Sequence, residues 1–310
     1  MADIKKNLVV CGGGMMGNAI AQVFCNIEDA EITVWNHRQK DIASLIRQNM
    51  HLLVEKGVCT EEDVQKVIDR CVLVTDLDNE RIKRADLVIE CVPEEMERKQ
   101  NLFRDLEDIC SEKTIFCTNS SVMSPTEISA KCKHRERVVG THFWNPGFLI
   151  PLVEVVKTEY TTEEVMQDTI ATLAAAGKKP IYCKKDVPGF VANRMQHALW
   201  REAIAIVDEG IADPDVVDDA VKYSFGLRLP QLGPIENSDM VSTTLTYNIH
   251  SYVLQYLADN HEPSPIIVKM KEEGKEGFKS GEGFFKWDEE SIKKSKDDLN
   301  AYLIKMIYGK

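Results

Sequence analysis

Residues 12–17 read Gly12-Gly13-Gly14-Met15-Met16-Gly17, and they constrain the fold of this chain more than any other stretch. They fall between a β-branched run at 7–11 and the helix-compatible Asn18-Ala19-Ile20-Ala21-Gln22-Val23-Phe24. This is G-x-G-x-x-G in a strand, turn and helix setting. Gly12 suits the tight turn, Gly14 lets a pyrophosphate approach the backbone, and Gly17 lets helix and sheet pack closely. The N-terminus of the helix then faces the phosphates. Dinucleotide binding is expected at Gly12, Gly14, Met15, Met16 and Gly17.

The surrounding chain repeats the same alternation. Further β-branched runs at 31–36, 71–75, 86–92 and 114–118 are interleaved with amphipathic segments at 41–55 and 95–110, the pattern of βα units and a mostly parallel sheet. Ser124-Pro125-Thr126-Glu127 has an N-cap serine, a first-turn proline and a capping-box glutamate, so a short helix is expected there. Strands resume at 137–143, 152–157 and 179–184, with a helix over 162–176 stopped by Gly177. At Asp186-Val187-Pro188-Gly189-Phe190 the alternation ends, and helical spacing takes over at 191–209, 214–223 and 240–259. The charge-rich 288–298 reads as a solvated helix face. The expected fold class is α/β: an N-terminal Rossmann-type doubly wound sheet over 1–185 and a C-terminal all-α domain over 186–310.

The second expected strand ends Val34-Trp35-Asn36-His37-Arg38. An NAD site usually places an acid here for the adenosine ribose hydroxyl. An uncharged Asn36 with Arg38 nearby would tolerate a 2'-phosphate, which favours NADP over NAD. The alternative is that His37 and Arg38 are exposed loop residues and NAD binds through the remaining contacts.

Composition narrows the partners. A formal charge of -12 opposes nonspecific binding to nucleic acid or an anionic membrane, and no apolar run approaches the length of a membrane span. The N-terminus lacks the apolar stretch and cleavage site of a signal peptide. Nine cysteines include no CxxC pair, and Cys11, Cys91 and Cys117 lie in strand-like runs where a reduced thiol packs as a small hydrophobe. A cytoplasmic protein without a metal site is expected.

Chemistry is expected in 138–155, VVGTHFWNPGFLIPLVEV, where a histidine and a glutamate interrupt an apolar stretch. A nicotinamide enzyme oxidising an alcohol needs a base for the hydroxyl proton, and His142 titrates in the right range for that task. Glu154 follows across the Asn145-Pro146-Gly147 turn, so adjacent strands could pair the two; equally, Glu154 could face outward between Val153 and Val155. Asn193 in an apolar helix, and Thr118-Asn119-Ser120-Ser121 after the fifth strand, are further polar candidates; each also suits an ordinary cap or turn.

These motifs together resemble the 3-hydroxyacyl-CoA dehydrogenase family over nearly the whole chain: GGGMMG, TNSS, THFWNP with LVEVVKT, KKDVPGFVANR and GFKSGEGFFKW, in order and spacing. The resemblance implies that His142 is the catalytic base and Glu154 its partner, that Ser120 and Asn193 hydrogen-bond substrate oxygens, and that Glu94 and Lys99 lie near the nicotinamide ribose. It also implies a helical C-terminal domain that forms a homodimer and binds a small-molecule substrate.

Departures from the family pattern bear on the substrate. Trp144 stands where the acyl-CoA enzymes usually have a second aromatic before Asn-Pro, and Val241-Ser242-Thr243-Thr244 lacks an aspartate they usually carry. Ser224-Phe225-Gly226-Leu227-Arg228 with Leu232-Gly233-Pro234 resembles the branch acting on small free hydroxy acids, which includes carnitine dehydrogenase and the gulonate dehydrogenase lambda-crystallin. Arg228 could clamp a carboxylate in bidentate fashion or form an ordinary surface ion pair. A small 3-hydroxy carboxylate is therefore favoured over a short-chain L-3-hydroxyacyl-CoA such as 3-hydroxybutyryl-CoA. A crystallin-like structural or cofactor-binding role with little activity is the remote alternative.

Overall fold

The structure, a computed structural model, describes residues 3–309. Eight strands alternate with helices in its first part: β1 (Asn7–Cys11), α1 (Met15–Phe24), β2 (Glu31–Trp35), α2 (Ile42–Glu55), α3 (Glu61–Arg70), β3 (Cys71–Val74), α4 (Glu80–Lys83), β4 (Leu87–Glu90), α5 (Met96–Ile109), β5 (Ile115–Thr118), α6 (Pro125–Ile128), β6 (Val138–Phe143), β7 (Leu152–Val156), α7 (Glu163–Ala175) and β8 (Lys179–Cys183). They form one sheet in the order β3-β2-β1-β4-β5-β6-β7-β8. Every neighbouring pair is parallel except β6 and β7, which run antiparallel across the Asn-Pro-Gly turn.

Successive strand residues face opposite sides, so a sheet covered on both faces needs two cores. Leu8 and Val10 of β1 join Ile20, Phe24, Ile32 and Ile89 in one buried cluster, while Val9 and Cys11 join Val88, Phe103, Leu106 and Phe116 in the other. That is the doubly wound α/β arrangement expected from the alternating sequence.

The remaining helices are α8 (Ala192–Asp208), α9 (Pro214–Lys222), α10 (Pro234–Val241), α11 (Thr243–Val253), α12 (Pro265–Glu272) and α13 (Glu289–Tyr308). Residues up to Ala192, with those from Asp298 onward, form one compact unit, and Asn193–Asp297 form a second. The second unit is helical apart from isolated bridges of Glu282 to Gly277 and Lys286. The sequence-based boundary at 185 thus lies seven residues before the division between units, and residues 298–310 fall in the first unit rather than with the helices. The reason is apolar: Ile304 is fully buried in the first cluster, with Leu303 and Ile307 packed against it.

Two local expectations need correction. The helix expected over 240–259 is broken, because Ser242 takes a φ of 84° between α10 and α11 and caps the latter by accepting from Leu245 N–H. Helix α3 was not expected, although Thr60 and Asp63 form a reciprocal capping box at its start.

Candidate active site

The antiparallel register sets His142 of β6 directly opposite Glu154 of β7. Their side chains meet, with His142 Nδ1 2.8 Å from Glu154 Oε2. Glu154 is fully buried and does not face outward. Trp144 Nε1 also donates to Oε2 (3.3 Å), while the N–H groups of Val191 and Ala192 each donate to Oε1 (2.9 Å). Burial alone pushes this carboxyl up, but hydrogen bonds from His142, Ala192 and Val191 outweigh it and hold the group below the usual carboxylate range. A carboxylate accepting from Nδ1–H fixes the ring tautomer, so Nε2 is the atom that remains to take a proton.

The two backbone donors on Oε1 come from the junction segment, whose sequence marks a change of character and a family motif but no role for its backbone. Gly189 and Phe190 take positive φ values of 76° and 45°. For a bulky residue such as Phe190 that conformation is disfavoured and must be held by its surroundings. The turn puts the Phe190 ring 5.9 Å from the His142 ring, with Trp144 at 5.5 Å, and points the next two N–H groups at Glu154. The imidazole is therefore walled by aromatics and 5% exposed.

A second polar cluster lies at the carboxyl ends of β4 and β5. Lys99 of α5 is 1% exposed and donates to both oxygens of the fully buried Glu90, at 2.8 and 2.9 Å. Its ammonium also lies 3.0 Å from Glu94 Oε2. Thr118 Oγ1 and Val92 N–H complete the shell of Glu90. Ser120 donates to Glu94, and Ser120 Oγ accepts from Met123 N–H at 3.0 Å. Burial, against the pull of Lys99, leaves the Glu90 carboxyl raised; at the half-exposed Glu94 burial is outweighed by Ser120 and Lys99, and the carboxyl is lowered. Ser120, Glu94 and Lys99 are thus brought together. Glu90, which joins them, lies in the β-branched run at 86–92, whose pattern announces a strand and not a charged pair.

The glycine turn is built for close approach. A Cβ on Gly12, whose φ is 119°, would lie 2.6 Å from Cys91 O, and one on Gly17 would lie 1.8 Å from Gly12 O. Asn18 Nδ2 donates to the carbonyls of Gly13 and Gly14, so both oxygens are tied back. A Cβ on Gly14 would meet nothing within 4 Å, which leaves room for a diphosphate beside the first turn of α1. Met15 is 67% exposed at that turn, and Met16 packs toward Gly147. At the end of β2, Asn36 Oδ1 accepts from Gly13 N–H at 3.1 Å and its Nδ2 donates to Arg38 O at 2.7 Å. A shallow pocket of about 480 Å³ borders Trp35 at the end of β2, lined by Leu77, Arg98 and Leu102 together with the acidic Glu95, Glu97 and Asp105. The glycine turn fits the diphosphate of a nicotinamide dinucleotide, and Glu94 and Lys99 follow β4, the strand beside β1.

Lys178 was not singled out from sequence. Its ammonium donates to the carbonyls of Gly147 and Ile150, at 2.6 and 2.9 Å, and so ties down the turn between His142 and Glu154. Burial lowers it to about 8. Asn193 and Arg228 belong to the second unit, Asn193 in the first turn of α8 and Arg228 after the short 3-10 turn Phe225–Leu227. Arg228 is exposed, and among the described residues it forms no ion pair.

A family model described as 3-hydroxyacyl-CoA dehydrogenase, NAD binding domain, matches residues 7–187, and one described as the C-terminal domain of the same family matches 189–287. The chain is 35% identical to a probable 3-hydroxybutyryl-CoA dehydrogenase of Bacillus subtilis, covering 92% of this chain and 99% of that protein. It is 33% identical to 5-formyl-3-hydroxy-2-methylpyridine 4-carboxylate 5-dehydrogenase of Mesorhizobium japonicum over 71% of each. A crystal structure of an enzyme of that activity, described as an NAD+-dependent dismutase, superposes with a TM-score of 0.85 at 26% identity over the full length of both chains. The glycine turn and the family models over both parts of the chain thus converge on one assignment: the protein belongs to the 3-hydroxyacyl-CoA dehydrogenase family and is a nicotinamide-dependent oxidoreductase acting on CH–OH groups.

Proposed function

We propose that this enzyme interconverts a small 3-hydroxy carboxylate and its 3-oxo form, using NADP(H), with His142 as the general base. The observation that carries the mechanism is the 2.8 Å contact between His142 Nδ1 and Glu154. A nicotinamide dinucleotide held at the glycine turn would supply the acceptor for the C3 hydride. In that direction His142 Nε2 removes the 3-hydroxyl proton, and the Glu154 carboxylate stabilises the imidazolium and keeps the ring in its working tautomer. Ser120 and Asn193 hold the reacting oxygen in line, while Glu94 and Lys99 position the nicotinamide ribose. No step requires a metal.

A free carboxylate is supported by the whole-length likeness to an enzyme whose substrate, by its name, is a pyridine carboxylate. The exposed guanidinium of Arg228 supplies a bidentate partner for such a group. A short-chain 3-hydroxyacyl-CoA is the second reading, favoured by the Bacillus relative. NADP is favoured because the neutral Asn36 presents no carboxylate to a 2'-phosphate. The deciding experiment is a panel of free 3-hydroxy acids beside their CoA thioesters, run with both cofactors on wild type, Arg228→Ala and His142→Gln. Arg228→Ala should raise KM at least tenfold for free acids and leave thioesters unchanged, and His142→Gln should abolish turnover with cofactor affinity intact. Faster turnover of thioesters overturns the substrate assignment; near-normal turnover by His142→Gln overturns the mechanism.

The assembly we infer is a homodimer through the second unit. No residue of 193–297 is fully buried, and Ile235, Tyr247 and Tyr252 are 78%, 72% and 70% exposed. A second copy would cover such a face. Nine free thiols, most of them buried, suit a reducing cytoplasm.

A further inference from the structure

The Asn36 amide is fastened at both ends, its oxygen to Gly13 N–H and its nitrogen to Arg38 O. The strand terminus that most directly faces an adenosine ribose in this fold therefore carries no charge. The next acid along the chain, Asp41, is used elsewhere, accepting from Ser44 N–H as the N-cap of α2. Between them stand His37, Arg38 and Lys40.

Lys40 does not simply extend into solvent. A Cβ on Gly13 would lie 3.4 Å from Lys40 Cδ and 3.5 Å from Asn36 Cβ, so the lysine stem folds back over the glycine turn beside Asn36. Its ammonium is two bonds beyond that Cδ, within reach of the strand terminus that faces an adenosine ribose in this fold. Among the described residues, neither Lys40 nor Arg38 forms an ion pair. An exposed cation whose stem lies along the glycine turn, without a carboxylate partner and beside a neutral strand terminus, is suited to a phosphate monoester dianion.

We propose that Lys40 is the specificity-determining residue for the cofactor, pairing with the 2'-phosphate of the adenosine ribose alongside Arg38. This inference rests on the NADP(H) reading above and deepens it: Asn36 removes the repulsion, and Lys40 supplies the attraction. The contact is exposed, so its strength falls with salt, the Debye length being roughly 8 Å at 0.15 M and shorter above it.

The test is binding, independent of turnover. NADP+ and NAD+ are titrated calorimetrically into wild type, Lys40→Ala, Lys40→Arg and Arg38→Ala at low and high salt. Wild type should prefer NADP+; Lys40→Ala should lose about tenfold in NADP+ affinity, with NAD+ changed less than twofold and a shallower salt dependence, and Lys40→Arg should restore the preference. If wild type prefers NADP+ and Lys40→Ala leaves both affinities unaltered, or weakens both equally, the role of Lys40 is overturned while the NADP(H) reading stands. If wild type binds NAD+ as tightly as NADP+ or more so, that reading fails and Lys40 loses its role with it.

Discussion

Glu154→Gln separates the electrostatic from the geometric duty of this carboxylate. In the wild type four donors converge on it: His142 Nδ1 and Trp144 Nε1 on one oxygen, and the N–H groups of Val191 and Ala192 on the other. A glutamine has one acceptor and one NH2. With two backbone donors on Oε1, the amide oxygen settles there and the NH2 faces His142. The imidazole must then accept at Nδ1 and carry its proton on Nε2, the tautomer that cannot take a proton from substrate. Trp144 Nε1 loses its acceptor, at a stability cost of about 1–3 kcal/mol. In serine proteases the equivalent wrong-tautomer substitution lowers kcat by about 10⁴, and a loss of about 10³–10⁴ is expected here, with cofactor affinity changed by less than threefold. The assay is initial-rate turnover of the best substrate from the panel, beside histidine nitrogen NMR to read the His142 tautomer. A variant that keeps its proton on Nδ1 and turns over within tenfold of wild type would refute the tautomer argument.

Two other substitutions probe buried charge. Lys99→Met strands the carboxylate of Glu90, whose partner it removes at 2.8 Å, so unfolding free energy in urea should fall by about 3–5 kcal/mol, and the double variant Glu90→Gln/Lys99→Met should recover much of it. A loss below about 1 kcal/mol would contradict the pairing. Lys178→Met leaves the Gly147 and Ile150 carbonyls without their donor and should cost about 1 kcal/mol near pH 7. Burial lowers this amine from 10.5 to about 8, so the folded chain releases its proton before the unfolded chain does, and the cost of burying the ammonium is relieved as pH rises from about 8 toward 10.5. The variant should lack that upward slope in denaturant midpoint, and an identical pH profile would exclude this role.

What could be read from the sequence was local or periodic. The glycine turn and the strand runs depend on neighbours within a few residues, and β1, β2 and β6 end within one residue of expectation. The His142 and Glu154 pair was readable only as two alternatives, because the face that Glu154 presents depends on register, and one residue of slip reverses it. Lys99 was expected near the cofactor, but its bond to Glu90 was not, since a glutamate among Val88, Ile89 and Cys91 has the pattern of a strand end. The backbone donors from Val191 and Ala192 left no side-chain signal at all. The return of Ile304 to the first core is likewise a contact between residues far apart in sequence, which no local pattern announces.

That return has a consequence for synthesis. The first unit is interrupted by the stretch from Asn193 to Asp297, and its core takes in Ile304 only after that stretch has been made. At roughly 5–20 residues per second the nascent sheet waits on the order of 5–20 s with the seat of Ile304 open to solvent, so ribosome-bound intermediates should carry an exposed apolar patch that the released chain lacks.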